Sequence, residues 1–338
     1  MGKKIGRLIF SLLALAFAAK AGADRPARLV IIDDDTGMMK KMVRKVGSFE
    51  MPWLKITDPD GGLEMIYALR DPNIKIAGIT CAMGCSTTEV CMASLKKIEE
   101  LTGRTDVPVF SGAQTPKDLG KPTDASRFII ETVMNNPGRV EIITTAPVTN
   151  IATAMMLEPR LAANWKMLHL ATGEFGGKLG EWSDGAKFGR VTGYKDMNIS
   201  VDDRAIKYVL EHGGDNLVIY PNEIMDDAVL TTADRNELKK AGTPLSKWVA
   251  DEISPLTFLE QYGAGMGGLA LHGVIAVAVA IDPALAEPPR QLRVKMEYQK
   301  RSGYYFALTN DPAVAAHPVY VKLRDPETIE KRLKERCK

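Results

Sequence analysis

Cysteine, histidine and tryptophan each occur only four times in this chain of 338 residues, and aromatic side chains make up 7% of it. Four cysteines cannot lace a chain of this length, so a disulfide-stapled scaffold is excluded. Charge of one sign is also scarce: 44 basic residues stand against 42 acidic ones, a net of +2. That balance leaves no broad basic footprint for nucleic acid. The apolar run 8–19 holds twelve residues, with Ser11 inside it, short of the roughly 20 that a membrane-crossing helix needs. There is no G-x-S-x-G nucleophile elbow. The glycine-rich stretch Gly263, Gly265, Gly267 and Gly268 fits neither the phosphate-loop nor the dinucleotide spacing, and reads as a tight turn. What remains is 45% hydrophobic and 25% charged, an ordinary globular composition rather than a disordered or collagen-like one.

The charge is unevenly placed. Residues 1–23 carry four bases and no acid: Lys3, Lys4 and Arg7 precede the apolar run, and Ala21-Gly22-Ala23 follows it. This is the pattern of a cleaved export signal. It predicts a signal peptide over 1–23, a single domain over 24–338, and a protein exported to the periplasm or secreted, with no membrane attachment after cleavage. The remainder has 40 bases and 42 acids, a net of −2. Cys81, Cys85 and Cys91 lie close together, with Cys337 far away. Their spacing does not match paired zinc ligands, so a local disulfide or small buried side chains are the expected readings.

Apolar strand-like runs alternate with helical periodicity. Strands are expected at 28–33, 74–80, 107–110, 140–145, 167–171 and 217–220. Helices are expected from 63, at 86–101, 124–135, 150–157 and 203–212. Such repeated units predict an α/β fold with an open, mainly parallel sheet and helices on both faces. Further on, helices are expected over roughly 233–281, strands at 291–298 and 304–308, and a terminal helix at 326–336 begun by Pro326. A glycine-rich loop at 173–193 carries Phe175, Trp182 and Phe188, with Tyr194 just after.

In a sheet of this kind, ligands bind beyond the carboxyl ends of the strands, and the polar clusters fall there. Asp33-Asp34-Asp35-Thr36-Gly37 ends the first strand. Three successive acids repel one another, and a hard cation such as Ca2+ would relieve them, although a solvated turn explains them as well. Thr57-Asp58-Pro59-Asp60-Gly61-Gly62 leads into the next helix and reads equally as turn chemistry. Thr144-Thr145-Ala146-Pro147-Val148-Thr149-Asn150 runs from strand to helix. Asp196-Met197-Asn198-Ile199 and Asp202 form a fourth cluster. His272 sits in an apolar helical run, where a histidine is usually a satisfied core residue. As a general acid it would have to face the same cleft as the acids.

Together these segments resemble the inosine-uridine nucleoside hydrolase family. Leu101-Thr-Gly-Arg-Thr-Asp-Val-Pro-Val-Phe-Ser-Gly-Ala113, Ala146-Pro147-Val148-Thr149-Asn150-Ile151-Ala152, Asp196-Met197-Asn198-Ile199 and His272 fall in the family's order over about residues 28–282. The resemblance implies cleavage of the N-glycosidic bond of a ribonucleoside or related riboside, a bound Ca2+, and a small-molecule partner. It also implies assembly of identical chains. It assigns Asp35 as base and ligand, Asp60 as ligand or ribose contact, and Thr145 as a ligand through its carbonyl. Asp33 and Asp58 become further metal ligands, Asp196 and Asn198 hold the ribose, and His272 stands by the leaving group. The chain departs from the family where its acidic motif is split by some 20 residues, where Gly61 and Gly273 replace carboxylates, and where Cys85 replaces an asparagine. A non-catalytic nucleoside- or sugar-binding protein is the competing expectation. A phosphotransferase with an aspartate nucleophile, suggested by Asp33-x-Asp35-Thr36, lacks a downstream acidic motif. The hydrolase reading requires Asp33, Asp35, Asp58, Asp60 and His272 to converge within one pocket.

Overall fold

The computed structural model describes residues 27–39, 42, 45–46, 49–50, 59–175, 196–263, 265–300 and 303–338. The expected export signal at 1–23, Asp58, Trp182, Phe188 and Tyr194 lie outside them. Nine strands form the central sheet: β1 (Arg28–Asp34), β2 (Ile74–Cys81), β3 (Val109–Ser111), β4 (Val140–Thr144), β5 (Met167–Ala171), β6 (Leu217–Tyr220), β7 (Arg290–Gln299), β8 (Gly303–Leu308) and β9 (Ala316–Val319). Their order across the sheet is β8-β7-β9-β6-β5-β4-β1-β2-β3. From β3 through β6 every neighbour is parallel, and β9 joins β6 in parallel. Only β7 runs antiparallel, against β8 and β9.

Side-chain alternation along β1 builds the two faces. Val30 and Ile32 point into one apolar core, and Ile31 into the other, as a strand buried on both sides requires. Each buries an aliphatic side chain fully, worth about 2 kcal/mol. The first core receives α1 (Asp60–Leu69), α2 (Thr88–Thr102) and a later helix that is buried from Gly273 to Ala280. The second receives the helices Asp124–Asn135, Thr149–Leu157 and Asp203–His212.

The order of strands locates the site. From β1 the chain moves to β2 and β3 on one side, then crosses back to β4 on the other. The carboxyl ends of β1 and β4 therefore flank a topological switch point, where open parallel sheets leave a crevice. The acids after β1 and Thr145 after β4 stand at its rim.

The expected strands and helices recur with shifts of a few residues, apart from two regions. The helix expected from residue 63 begins at Asp60. The helical stretch expected at 233–281 is broken: Thr232–Ala241, Pro244–Glu252 and Ser254–Phe258 are followed by a π-helical turn and a two-residue strand, Leu269–Ala270. That strand pairs with Val229–Leu230. Strand β9 carries Pro318 and His317 and has no apolar alternation by which to find it.

Candidate active site

A cleft of about 250 Å³ opens at the switch point. Asp34 and Asp35 enter it from β1, Asp60 and Glu64 from α1, and Thr145 from the end of β4. Asn198 comes from α3 (Met197–Val201), and His272 is the first residue of α4 (His272–Ile281). Met197, Met225, Leu256 and Leu269 supply apolar wall. Asp35, Asp60 and His272 thus share one cavity.

Local structure explains each placement. Asp35 is 7% exposed, and its Oδ2 accepts the Cys85 backbone N–H. This approach needs Gly84, because a β-carbon there would come within 1.7 Å of that oxygen. Burial, opposed by the Cys85 bond and reinforced by Asp60, pushes the Asp35 carboxyl up to about 7. Asp60 is the first residue of α1, and its Oδ2 accepts the Gly273 N–H at 3.3 Å. It therefore ties the start of α1 to the start of α4. The turn from β4 to the next helix is strained: Val148 has φ 39°, the one positive value outside glycine among the described residues. A β-branched residue rarely adopts that conformation, and such strain gathers at functional sites.

His272 is held differently. Its Nε2 lies 2.9 Å from Asp226 Oδ1. Burial alone would lower its pKa, but Asp226, Asp60 and Glu260 outweigh burial and raise it to about 9. The ring is an imidazolium at neutral pH. Glu260 sits in the π-helical turn Leu259–Gly263, accepts the Ala270 N–H at 2.9 Å, and is itself pushed by burial to about 7.

Other expected residues have structural engagements. Asp33 is not among the residues lining the cleft; its carboxylate accepts from Thr80 at 2.6 Å, Asn150 at 2.8 Å and Thr144 at 3.2 Å. Asp33 therefore clamps β1 to β2 and β4. Asp196 lines the cleft, yet both its oxygens are used: Oδ1 accepts from Thr172 and the Ile199 N–H, and Oδ2 from the Gly173 N–H. It caps α3 and so sets the position of Asn198. The Thr145 carbonyl accepts the Asn198 amide at 2.9 Å, and the Thr145 hydroxyl reaches Asp34 and Glu64. The four cysteines form no disulfide; Cys81 and Cys91 face each other in the core, and Cys85 lines the cleft.

Three carboxylates in the cleft were not expected, Asp34, Glu64 and Glu260. The spacing Asp60–Glu64 is i, i+4, which puts both on one helical face; starting the helix at residue 63 hides that relation.

The profile of the inosine-uridine preferring nucleoside hydrolases matches residues 56–325. This chain belongs to that family. The match begins after β1; the fold nonetheless sets Arg28–Asp34 in the middle of the sheet. Pyrimidine-specific ribonucleoside hydrolase RihA of Escherichia coli is 26% identical over 298 residues, covering 78% of this chain and 91% of its own. In structure, a plant nucleoside hydrolase superposes with a TM-score of 0.73 at 20% identity, covering 92% of this chain and 99% of its own. A purine-preferring ribonucleoside hydrolase from Gardnerella vaginalis gives 0.72 at 21% identity over the same shares. The nucleoside hydrolase fold extends over nearly the whole chain.

Family membership raises the question of a hard cation. Oxygen donors gather on one side of the cleft: carboxylates of Asp34, Asp35, Asp60 and Glu64, and the hydroxyl of Thr145. This suits Ca2+. Glu64 Oε2 is buried without a hydrogen-bond partner, and a buried unpaired carboxylate oxygen is costly unless something completes it. Among the described residues no three acidic, histidine or cysteine side chains stand in a finished ligand arrangement.

Proposed function

We propose that the chain hydrolyses the N-glycosidic bond of a nucleoside or related N-riboside, as an exported enzyme. The observation that carries this reading is the shared cleft: a carboxylate poised near neutrality and an imidazolium held by Asp226 face one small apolar-walled space.

The chemistry divides between them. Asp35, with its pKa near 7, takes a proton from the attacking water as that water forms a bond to C1′. The bond from C1′ to the base nitrogen breaks, its electron pair leaves with the base, and His272 supplies the proton the base needs. Positive charge on the ribosyl ring grows in between, and Asp34, Asp60 and Glu64 supply the negative field that favours it. Bound Ca2+ would be held by those carboxylates with Asp35, and it would lower the pKa of a coordinated water and orient sugar hydroxyls. Asn198 is fixed on the Thr145 carbonyl and borders the sugar's space. The methionines and leucines of the wall suit a planar base.

Purified protein with Ca2+, offered a panel of purine and pyrimidine nucleosides, should release free base and ribose from at least one of them. Binding of a nucleoside without release would favour the second reading, a binding protein, to which Gly61 and Gly273 in place of carboxylates lend weight.

A further inference from the structure

Two glycines of the cleft lie against two of its unforeseen carboxylates. A β-carbon at Gly273 would come within 1.9 Å of Glu64 Oε2, and one at Gly61 within 2.6 Å of Asp34 Oδ2. The space that a side chain at 273 or 61 would fill is therefore taken by carboxylates from other positions. Glu64 is 0% exposed, Asp34 is 1% exposed, and both line the cleft.

The Thr145 hydroxyl joins the pair, lying 3.0 Å from Asp34 Oδ1 and 3.1 Å from Glu64 Oε1. A hydroxyl has one proton and can donate to one of the two at a time. The other carboxylate is left facing a lone pair. Glu64 Oε2, the oxygen beside Gly273, has no hydrogen-bond partner. A buried, unsatisfied acceptor that borders a cleft shared with Asp34, Asp35 and Asp60 marks the place of a positive ligand.

From this geometry, and resting on the functional reading above, we infer that the protein binds a divalent hard cation through a relocated carboxylate pair. Glu64 replaces the side chain absent at 273, Asp34 replaces the one absent at 61, and Asp35 and Asp60 complete the set. The glycines are what the relocation requires. A carboxylate at 273 would drive Glu64 out of its place, and one at 61 would displace Asp34.

Calorimetric titration of the chelator-stripped protein with Ca2+ tests this without any turnover. The wild type should take up one Ca2+ in the cleft. Glu64→Gln should weaken it by about tenfold or more, the scale on which charged ligands tune such sites, while thermal unfolding in chelator shows that the variant is folded. Gly273→Asp alone should bind no more tightly than the wild type. Glu64→Ala with Gly273→Asp should recover most of the affinity that Glu64→Ala alone loses. A Glu64→Gln protein within about twofold of wild type, no binding up to about 10 mM, beyond the weakest extracellular sites, or a double variant no better than Glu64→Ala would each overturn the inference. Turnover without Ca2+ binding would sink it and leave the hydrolase reading standing. Binding through Glu64 without turnover would do the reverse.

Discussion

The paired strands β1 and β4 have a buried acid at each end of the pair, Glu141 at the amino end and Asp34 at the carboxyl end, and the two ends are built differently. At their amino ends, Glu141 is surrounded by partners, two of them cations: Arg28 Nε donates to its Oε1 at 2.9 Å, Lys166 to the same oxygen at 2.8 Å, and the His169 ring Nε2 lies 3.2 Å from Oε2. Burial tends to raise the Glu141 pKa, but Arg28, His169 and Lys166 outweigh it and hold the carboxyl far below the usual range. At the carboxyl ends, Asp34 and Glu64 have for company a hydroxyl and more acids. Burial, Asp35 and Asp60 raise Asp34; burial, Asp34 and Asp60 raise Glu64. One end is neutralised from within the chain and serves the fold. The other gathers buried acids that burial and mutual repulsion hold toward the protonated form, a pattern that supports the proposal that it is the working end.

The largest effect expected from breaking this contrast is on catalysis. Asp35→Asn should reduce kcat by about 10²- to 10⁴-fold, the range of a lost general base, with unfolding unchanged or slightly improved. A fall of less than tenfold in steady-state base release would remove Asp35 from that role.

Next comes the neutralised end. Glu141→Gln should destabilise the protein by about 3 kcal/mol, the lower part of the range for breaking a buried ion pair, because Arg28 and Lys166 can reach solvent. Chemical denaturation would measure it.

The two ends should also respond to pH with opposite signs. The depressed pKa of Glu141 adds stability above the unfolded value of about 4.5 and loses it as pH falls further. The raised acids act the other way. Asp35, moved from 3.8 to about 7, stays protonated in the folded protein where the unfolded chain has ionised, so chelator-treated protein should lose stability as pH rises across that window. Glu64→Gln should make that decline shallower and raise chelator-state stability by about 1 kcal/mol, the cost of an unsatisfied buried group. A steeper decline would contradict the contrast.

The smallest expected change concerns the proton donor. With His272 raised to about 9, activity should fall as pH rises through that value. Asp226→Asn should draw the alkaline limb of the kcat profile down toward about 6.5, the ordinary histidine value. An unmoved limb would detach His272 from proton donation.

Much of this was legible in the sequence because strands buried on both faces must be apolar throughout: the runs at 28–33, 140–145 and 217–220 mark the sheet, and the acids after the first of them mark its binding edge. Which of three successive acids faces the cleft was not legible. Side-chain direction depends on where β1 ends and on hydroxyls brought in by Thr80 and Thr144, far away in the chain, and these claim Asp33. Glu64 was hidden for a related reason. Within the segment Leu63-Glu64-Met65-Ile66 it reads as one polar residue in an apolar helix, and only the missing side chain at Gly273, some 200 residues on, gives it room to face the cleft.

A crystal structure with Ca2+ and ribose tests the account most directly. It should show one cation among Asp34, Asp35, Asp60 and Glu64, with the sugar beside Asn198 and its C1′ toward His272. A cation bound only to surface acids, with the sugar absent from the cleft, would contradict it.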